Sequence, residues 1–430
     1  MQTVATVSAV VMAAGLVALH AVALYAVSIL FLGAQRAGHT RRGDVGAAAN
    51  AAAAPPRIAA LVVAHDEERV VVRSVRSLSE QRYPESRFAV FVVADHCSDR
   101  TAAVASAAGA TVFERRGPKA EGKAPAVAHG VSAIATLGGF DAVAIFDADN
   151  EVDPGFLAAI AARFDAGERV VQGVVDALNP DASWVAASSA LGFWAIAAVA
   201  QRPREALHLS APLMGTGFAM ELTAAVRFLG DASSLTDDLE LACRLCLDHV
   251  RVAHEPLARV FDEKPTTMSA AISQRHRWMQ GRWSVAHRYF AALGARAFGP
   301  GASSFAERCR AADVAYQLVA PSLLFTAVAL AVFSGALTLL LAAVALSVHA
   351  RLAPIPFEGG FRTLALASFV AAALYYVVPA REIARFRPSA KVWLCYALQP
   401  FYLVLSLPLS ISGWLTRRRR AWKRTPHGAA

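Results

Sequence analysis

Ala142-Val143-Ala144-Ile145-Phe146-Asp147-Ala148-Asp149 is a short apolar run closed by two carboxylates. Such a run, bounded by polar residues, reads as a buried strand. Alternate residues of an extended strand point the same way, so Asp147 and Asp149 can converge on one cation. Hard Mg²⁺ or Mn²⁺ is typically held by one or two carboxylates plus substrate phosphates. The competing reading is a loop of solvated acids ahead of a helix begun at Asp153-Pro154.

The same design recurs upstream. Ile58 to Ala64 follows Pro55-Pro56 and is closed by His65-Asp66-Glu67-Glu68, after which Val70 to Ser79 reads as helix. Phe88 to Ala94 ends in Asp95-His96-Cys97-Ser98-Asp99, and Asp99 or Thr101 is placed to cap the Ala-rich helix that follows. A further strand spans about Thr111 to Glu114. Strands alternating with helical patterns predict an α/β domain with a mostly parallel sheet. In such sheets ligands bind beyond the carboxyl ends of the strands, where these acidic clusters fall. Asp95 could accept the imide proton of uracil, or merely cap a helix. His65 and Glu67 could face the same nucleotide, although a lone histidine is more often structural.

Further along, Gly117-Pro118-Lys119-Ala120-Glu121-Gly122-Lys123 satisfies the opening of a P-loop, but Ala124 stands where Ser or Thr must hold Mg²⁺. That excludes an NTPase and leaves Lys123 as a point charge suited to a diphosphate. Thr236-Asp237-Asp238 precedes a helical pattern. Either it caps that helix, with acids in the first turn, or Asp238 is a general base. Gln274, Arg277 and Trp278 are spaced i, i+3, i+4, on one face of a helix. A polar, cationic and aromatic trio is poor core material. It suits a sugar stacked on indole beside a diphosphate, or a membrane-surface helix with an interfacial Trp.

The chain of 430 residues is 56% hydrophobic with mean hydropathy +0.41, above the soluble range, and the excess is clustered. Residues 4–32 are long enough to cross a hydrocarbon core of about 30 Å. They exceed a signal-peptide core and lack preceding Lys or Arg, so an uncleaved anchor is expected. Arg36, Arg41 and Arg42 follow it, which puts the next domain in the cytosol. Residues 185–200 read as an amphipathic surface helix or a core helix. Apolar stretches return at 314–350, 363–380 and 391–415, the first holding a turn at Ser334-Gly335. Arg417 to Arg420, Lys423 and Arg424 come directly after. The net charge of +9 is thus a topology signal and an attraction to anionic headgroups rather than a nucleic-acid footprint.

A cytosolic basic tail requires an odd number of crossings. Five is the expected count, although it places Arg381, Arg385, Arg387 and Lys391 outside, against the charge rule. Three, with 391–415 re-entrant at Pro400 and Pro408, meets the same parity. The five cysteines form no disulfide framework, and Cys243 with Cys246 lacks the second pair a zinc site needs.

With these motifs in this order, the chain resembles inverting family 2 glycosyltransferases over roughly residues 57–283. It is most similar to the membrane-integrated branch of cellulose, hyaluronan and poly-N-acetylglucosamine synthases. The resemblance implies a GT-A nucleotide-sugar domain flanked by transmembrane helices. The expected divisions are an N-terminal transmembrane helix (1–34), a linker (35–56), a cytosolic GT-A domain (57–268) and an interface-helix region (269–312). C-terminal transmembrane helices (313–416) and a basic cytosolic tail (417–430) complete them.

By resemblance, Asp95 is the uracil-binding acid, and His65-Asp66-Glu67 stands for a Tyr-Asn-Glu pattern, with His65 in place of a stacking Tyr. Lys123 lies near the diphosphate, and Asp147 with Asp149 forms the D-x-D clamp for Mg²⁺ or Mn²⁺. Thr236-Asp237-Asp238 stands for Thr-Glu-Asp, making Asp238 the base. Gln274, Arg277 and Trp278 match the Q-x-x-R-W of processive synthases, and Gly215 in Gly215-Thr216-Gly217 lines the acceptor site. The implied activity is metal-dependent inverting transfer of N-acetylglucosamine or glucose from a UDP-sugar to a growing polysaccharide. The alternative is a single transfer to a membrane lipid. The implied partners are donor, polysaccharide or glycolipid acceptor and membrane lipid, with room for accessory export subunits and no nucleic acid. The implied location is a multi-pass protein of the inner membrane with its catalytic domain in the cytosol.

Overall fold

The computed structural model describes residues 25–26, 28–36, 54–116, 122–229, 236–301, 304–319, 379–404 and 406–418. Most of the anticipated apolar spans at 4–32, 314–350 and 363–380, and the basic tail beyond residue 418, lie outside the described residues.

Eight strands form one sheet: β1 (Ile58–Ala64), β2 (Phe88–Asp95), β3 (Thr111–Arg115), β4 (Ala142–Asp147), β5 (Glu151–Val152), β6 (Val170–Ala177), β7 (Phe218–Glu221) and β8 (Ala253–Asp262). Their spatial order is β3-β2-β1-β4-β7-β6-β8-β5. The first four are parallel neighbours, as the apolar runs predict. Beyond β4 the sheet turns mixed. β7 runs antiparallel to both β4 and β6, and β5 antiparallel to β8, whereas β6 and β8 are parallel. The expectation of a mostly parallel sheet therefore holds for the N-terminal half and is corrected in the C-terminal half. The reason is β7, a four-residue strand whose pairing depends on distant strands.

Side-chain alternation builds two cores. Ile58, Ala60, Val62 and Ala64 of β1 face one side, toward α2 (Val71–Ser79) and α5 (Phe156–Asp165). Ala59 and Leu61 face the other, toward α4 (Ala124–Leu137) and residues of α7 (Leu222–Leu229) and α8 (Asp237–Leu247). With both faces covered, β1 reads as unbroken apolar sequence. Register sets the strand ends side by side: Val63 pairs with Asp147 and with Val93, and Asp95 with Arg115. The acidic ends of β1, β2 and β4 thus share one edge. A short helix α3 (Thr101–Ala107) follows β2, with Asp99 Oδ1 accepting the Thr101 N–H at 2.9 Å.

Among the described residues one helix is long and apolar enough to cross a membrane, α6 (Trp184–Ala206). Most of it is buried: Ala187, Ala190, Leu191 and Trp194 pack with Ala177, Ile383 and Val392, so it packs as a core helix. A π-helical turn at Ala197–Gln201 interrupts it. Just beyond, Arg204 donates from Nε and Nη2 to the two carboxylate oxygens of Asp313, each at 2.9 Å. Asp313 also accepts from Tyr25 Oη at 2.9 Å and Gln317 Nε2 at 2.8 Å. That buried fork joins the N-terminal segment, α6 and a helix at residues 305–319.

The helix α9 (Met268–Phe298) starts where Thr267 caps the Ala270 N–H. One face packs Val285, Leu293 and Ala297 against Cys243, Cys246, Val314 and Leu318. The cysteine pair is therefore core material, its thiols pushed up by burial. Helix α10 denotes residues 305–319, and α11 (Ala390–Val404) and α12 (Ser406–Thr416) complete the described chain.

Candidate active site

Lys123 stands at the start of α4 and organises the acids around it. Its Nζ donates to Asp147 Oδ1 at 2.5 Å and to the Gly215 carbonyl at 2.8 Å. Burial alone would push this ammonium down, but Asp147, Asp237 and Asp149 hold it above its ordinary value. Gly215 has φ +78°, and a Cβ there would lie 3.7 Å from Asp238 Oδ2. The D-x-D strand end and the Thr236-Asp237-Asp238 helix start therefore meet through one lysine and one glycine, ninety positions apart in sequence.

The loop Gly215-Thr216-Gly217 is knitted to β4. Thr216 Oγ1 and Asn150 Oδ1 both accept the Asp147 N–H at 3.1 Å, and the Gly217 N–H donates to Ile145 O at 2.9 Å. Gly217 must lack a side chain: its φ is +62° and a Cβ would lie 2.4 Å from Val260 Cγ1. Asp149 is 7% exposed; its Oδ1 accepts from Asn150 Nδ2 at 3.2 Å and its carbonyl from Arg73 Nη2 at 3.0 Å.

Asp238 lies in the first turn of α8. Its Oδ1 accepts the Leu239 N–H at 2.8 Å, while Oδ2 faces Gly215. Burial, then the neighbouring Asp237, push its carboxyl up to about 7. Asp237 is likewise raised by burial, against the pull of Lys123. Helix α9 supplies the balancing cations. Burial pushes the Arg277 guanidinium down, opposed by Asp147 and Asp237, and pushes Arg282 down to about 10, opposed by Asp238. Glycine also sets the spacing of these helices, since a Cβ on Gly281 would lie 2.5 Å from Thr236 Cγ2.

Among the described residues, four carboxylates (Asp147, Asp149, Asp237, Asp238) thus face three cations (Lys123, Arg277, Arg282). Burial is the larger cause of the two raised carboxyls, and repulsion from neighbouring acids adds to it. The donor set suits a hard divalent cation, and Asp149 with Asp147 are the carboxylates that could hold one. Trp278 meets Phe193 edge-on at 6.1 Å, and Lys264 Nζ sits 3.4 Å above the Phe193 ring. Gln274 is half-buried one turn ahead of Trp278.

The nucleotide-side residues gather at the neighbouring strand ends. His65 Nδ1 lies 2.6 Å from the Asp95 carbonyl. Asp95 Oδ1 accepts from Arg115 Nη1 at 2.5 Å and lies 2.7 Å from His96 Nδ1. The Glu67 N–H donates to Thr101 Oγ1 at 2.8 Å. Asp66, Cys97 and Asp99 come within metal-ligand range of one another, but the two acids are already engaged in the loop. Asp66 Oδ1 accepts Ser98 N–H at 2.6 Å, and Asp99 Oδ2 accepts Glu68 N–H at 3.1 Å. Although burial raises both carboxyls, the Ser98 donors on Asp66 and the Thr101 hydroxyl and N–H on Asp99 win and hold them below the usual range.

Sequence reasoning missed Arg115, Arg282, Lys264, Phe193 and Arg73 as parts of this neighbourhood. Phe193 lay within the stretch 185–200 already singled out, and Asn150 directly follows the Asp147–Asp149 motif.

The sequence pattern described as "Glycosyltransferase like family 2" matches residues 55–281, more than half of the chain. A beta-monoglucosyldiacylglycerol synthase of Trichormus variabilis is 28% identical over 239 residues, 53% of this chain and 49% of that protein. The probable glycosyltransferase YdaM of Bacillus subtilis is 24% identical over 245 residues, 55% and 57% of the two chains. The chain spans about half the length of the curated relatives it matches. Among solved structures, the mannosyltransferase PcManGT from Pyrobaculum calidifontis, in complex with GDP-Man and Mn²⁺, is 18% identical with a TM-score of 0.45. That match covers 83% of this chain and 98% of that one. By the family pattern, the chain belongs to the family 2 glycosyltransferases, with an α/β domain of the GT-A-like kind.

Proposed function

We propose, on the premise of that family membership, that the protein transfers a hexosyl group from a nucleotide sugar to an acceptor hydroxyl with inversion. The observation that carries this reading is Asp238, a half-buried carboxyl pushed up to about 7, beside the cluster gathered on Lys123. A base with that affinity for a proton is matched to work near neutrality.

In the proposed step Asp238 Oδ2 takes the acceptor's hydroxyl proton. The oxygen forms its bond to the anomeric carbon as the bond to the diphosphate breaks, and the nucleoside diphosphate leaves with that electron pair. Lys123 and Arg277 offset charge growing on the leaving group. A divalent cation held by Asp149 and Asp147 would act there as a Lewis acid. The uridine assignment rests on Asp95, whose Oδ1 accepts from Arg115 and lies beside His96 Nδ1. Glucose or N-acetylglucosamine is the donor sugar.

The acceptor we favour is a membrane glycolipid or its lipid precursor, and the site of action the cytosolic face of the inner membrane. The supporting observation is the name borne by relatives from Trichormus variabilis and Synechocystis, beta-monoglucosyldiacylglycerol synthase. Polysaccharide extension keeps the support of Gln274, Arg277 and Trp278 on one face of α9. Membranes containing the protein, incubated with labelled UDP-glucose and UDP-N-acetylglucosamine, separate the two. A single sugar on solvent-extractable lipid is expected; ladder-forming polymer transfers the proposal to the polysaccharide, and no UDP release from either donor sinks it.

A further inference from the structure

Gln172 is fully buried on β6, and its side-chain amide bonds to backbone. Oε1 accepts the Met214 N–H at 3.0 Å. Nε2 faces three carbonyls, those of Thr216 at 3.0 Å, Gly217 at 3.1 Å and the adjacent Gly173 at 3.1 Å. Carbonyls only accept, so the network fixes which way the amide is turned; reversed, Oε1 would meet three acceptors.

Met214 and Thr216 flank Gly215. The amide therefore grips both sides of the residue whose carbonyl accepts from Lys123 Nζ at 2.8 Å and which faces Asp238 Oδ2. The loop has little else to hold its backbone in shape. Gly215 and Gly217 lie in the left-handed region, with φ of +78° and +62°, and glycine is the residue with the most conformational freedom to lose. The ladder between β6 and β7 reaches only as far as Phe218, opposite Gln172, so the polar groups of 214–217 need partners from elsewhere.

The sheet is shaped to bring the amide to them. Gln172 pairs with His254 on β8 and Val174 with Arg259, which leaves 255–258, Pro256 among them, as an irregularity opposite Gly173. Irregularities of this kind re-aim side chains beside active sites. Gly173 lets the loop lie directly on the strand. A Cβ there would be 2.5 Å from Ala258 O and 3.0 Å from Gly217 O, and its N–H donates to Gly217 O at 2.9 Å. His254 Nδ1 holds the Gln172 carbonyl at 3.1 Å.

The same clamp reaches the D-x-D strand. Thr216 Oγ1 donates to Asn150 Oδ1 at 2.5 Å and accepts the Asp147 N–H at 3.1 Å. One buried amide is thus connected through Gly215 to Lys123, and through Thr216 to Asp147.

We propose that Gln172 is a positioning residue of the transfer site, a planar amide that sets the conformation of residues 214–217 and with it the places of the Gly215 carbonyl, Lys123 Nζ and Asp147. The proposal rests on the catalytic reading above. The position calls for an acceptor and donors on one short plane, which Met, Lys and ionised Glu each lack in part or whole. Because the amide bonds to the loop rather than to the reacting groups, its loss acts on turnover more than on donor binding.

The first test needs no turnover, so it stands or falls apart from the catalytic reading. In full-length protein, Gln172→Met should speed hydrogen exchange across 213–218 by about tenfold, read by mass spectrometry, while 58–64 in β1 keeps its protection. Unchanged exchange at 213–218 overturns the proposal, whatever the enzyme transfers. In the transfer assay the same variant should lower kcat by about 10²-fold, with KM for the nucleotide sugar near the wild-type value. Wild-type kcat, or a loss confined to KM, overturns it as well.

Gln172→Glu decides the matter should the Met variant not fold. Burial raises a carboxyl, whose neutral form keeps one acceptor and one O–H donor and whose ionised form cannot donate. Measured against wild type at each pH, its kcat should be near the wild-type level at about pH 6 and fall by about tenfold toward pH 9, with loop protection falling alongside. A ratio that stays flat or rises with pH overturns the proposal.

Discussion

Two acidic edges of the same domain are built to opposite electrostatic ends. Beyond β1 and β2, Asp66 and Asp99 are ringed by Ser98, Glu68 and Thr101 donors, and Asp95 is paired with Arg115. Beyond β4 and at the start of α8, Asp237 and Asp238 are half-buried, and loss of water, with neighbouring acids, makes them hold their protons tightly. A carboxylate given enough donors becomes a staple for a loop, whereas one deprived of them becomes a reagent. In the proposed reading the first edge holds the base rigidly and the second takes the proton.

The most severe way to break the contrast is Asp238→Asn. It should lower transfer by roughly 10²–10⁴-fold while nucleotide binding, followed by calorimetry, persists. Normal turnover by that variant would remove Asp238 from the mechanism. Lys123→Met should come next, lowering kcat by about 10²-fold because the leaving diphosphate loses a fixed cation; KM for the acceptor should move little.

The pH response distinguishes the edges by sign. The folded protein holds the Asp238 proton more tightly than an unfolded chain, whose Asp titrates near ~3.9. Its contribution to stability therefore declines as pH rises from about 4 to about 7 and is level above. Asp238→Asn should consequently raise the Tm of the nucleotide-free enzyme at pH 8 but not at pH 4, while wild-type activity climbs with a limb near pH 7. Asp66 behaves oppositely: its stabilisation is present above the ordinary carboxylate pKa and is lost as pH falls through the depressed value. Asp66→Ala should cost roughly 1–3 kcal/mol near neutrality, read by denaturant melts, and less in acid. Smallest in chemistry but broad in reach, Gly281→Ala should press on Thr236 and destabilise by about 1–3 kcal/mol.

The parallel half of the sheet was legible because its strands are covered on both faces. Ile58 to Ala64 and Ala142 to Phe146 could only be apolar runs, and the acids after them could only lie at strand ends. Of the candidate site, Lys123, Asp147, Asp149, Gly215 and Asp238 do assemble, in an order the motifs suggested. The mixed half was not legible. β7 has four residues, β8 contains Pro256 and lies across a register shift from β6, and neither announces its partner. Arg282 and Lys264 were invisible for another reason, since their meaning comes from residues tens of positions away. Ser406, Ser410, Gly413 and Thr416 recur at helical intervals, and that stripe of small and polar groups packs on α9.

The fork of Arg204 on Asp313, closed by Tyr25, has a practical consequence for anyone trimming this protein. A fragment cut to residues 57–268 would strand a buried guanidinium without its counter-ion, a loss of roughly 3–5 kcal/mol that can rival much of a domain's net stability. What looks from the sequence like detachable membrane tether is, at that junction, a keystone of the enzyme's own interior.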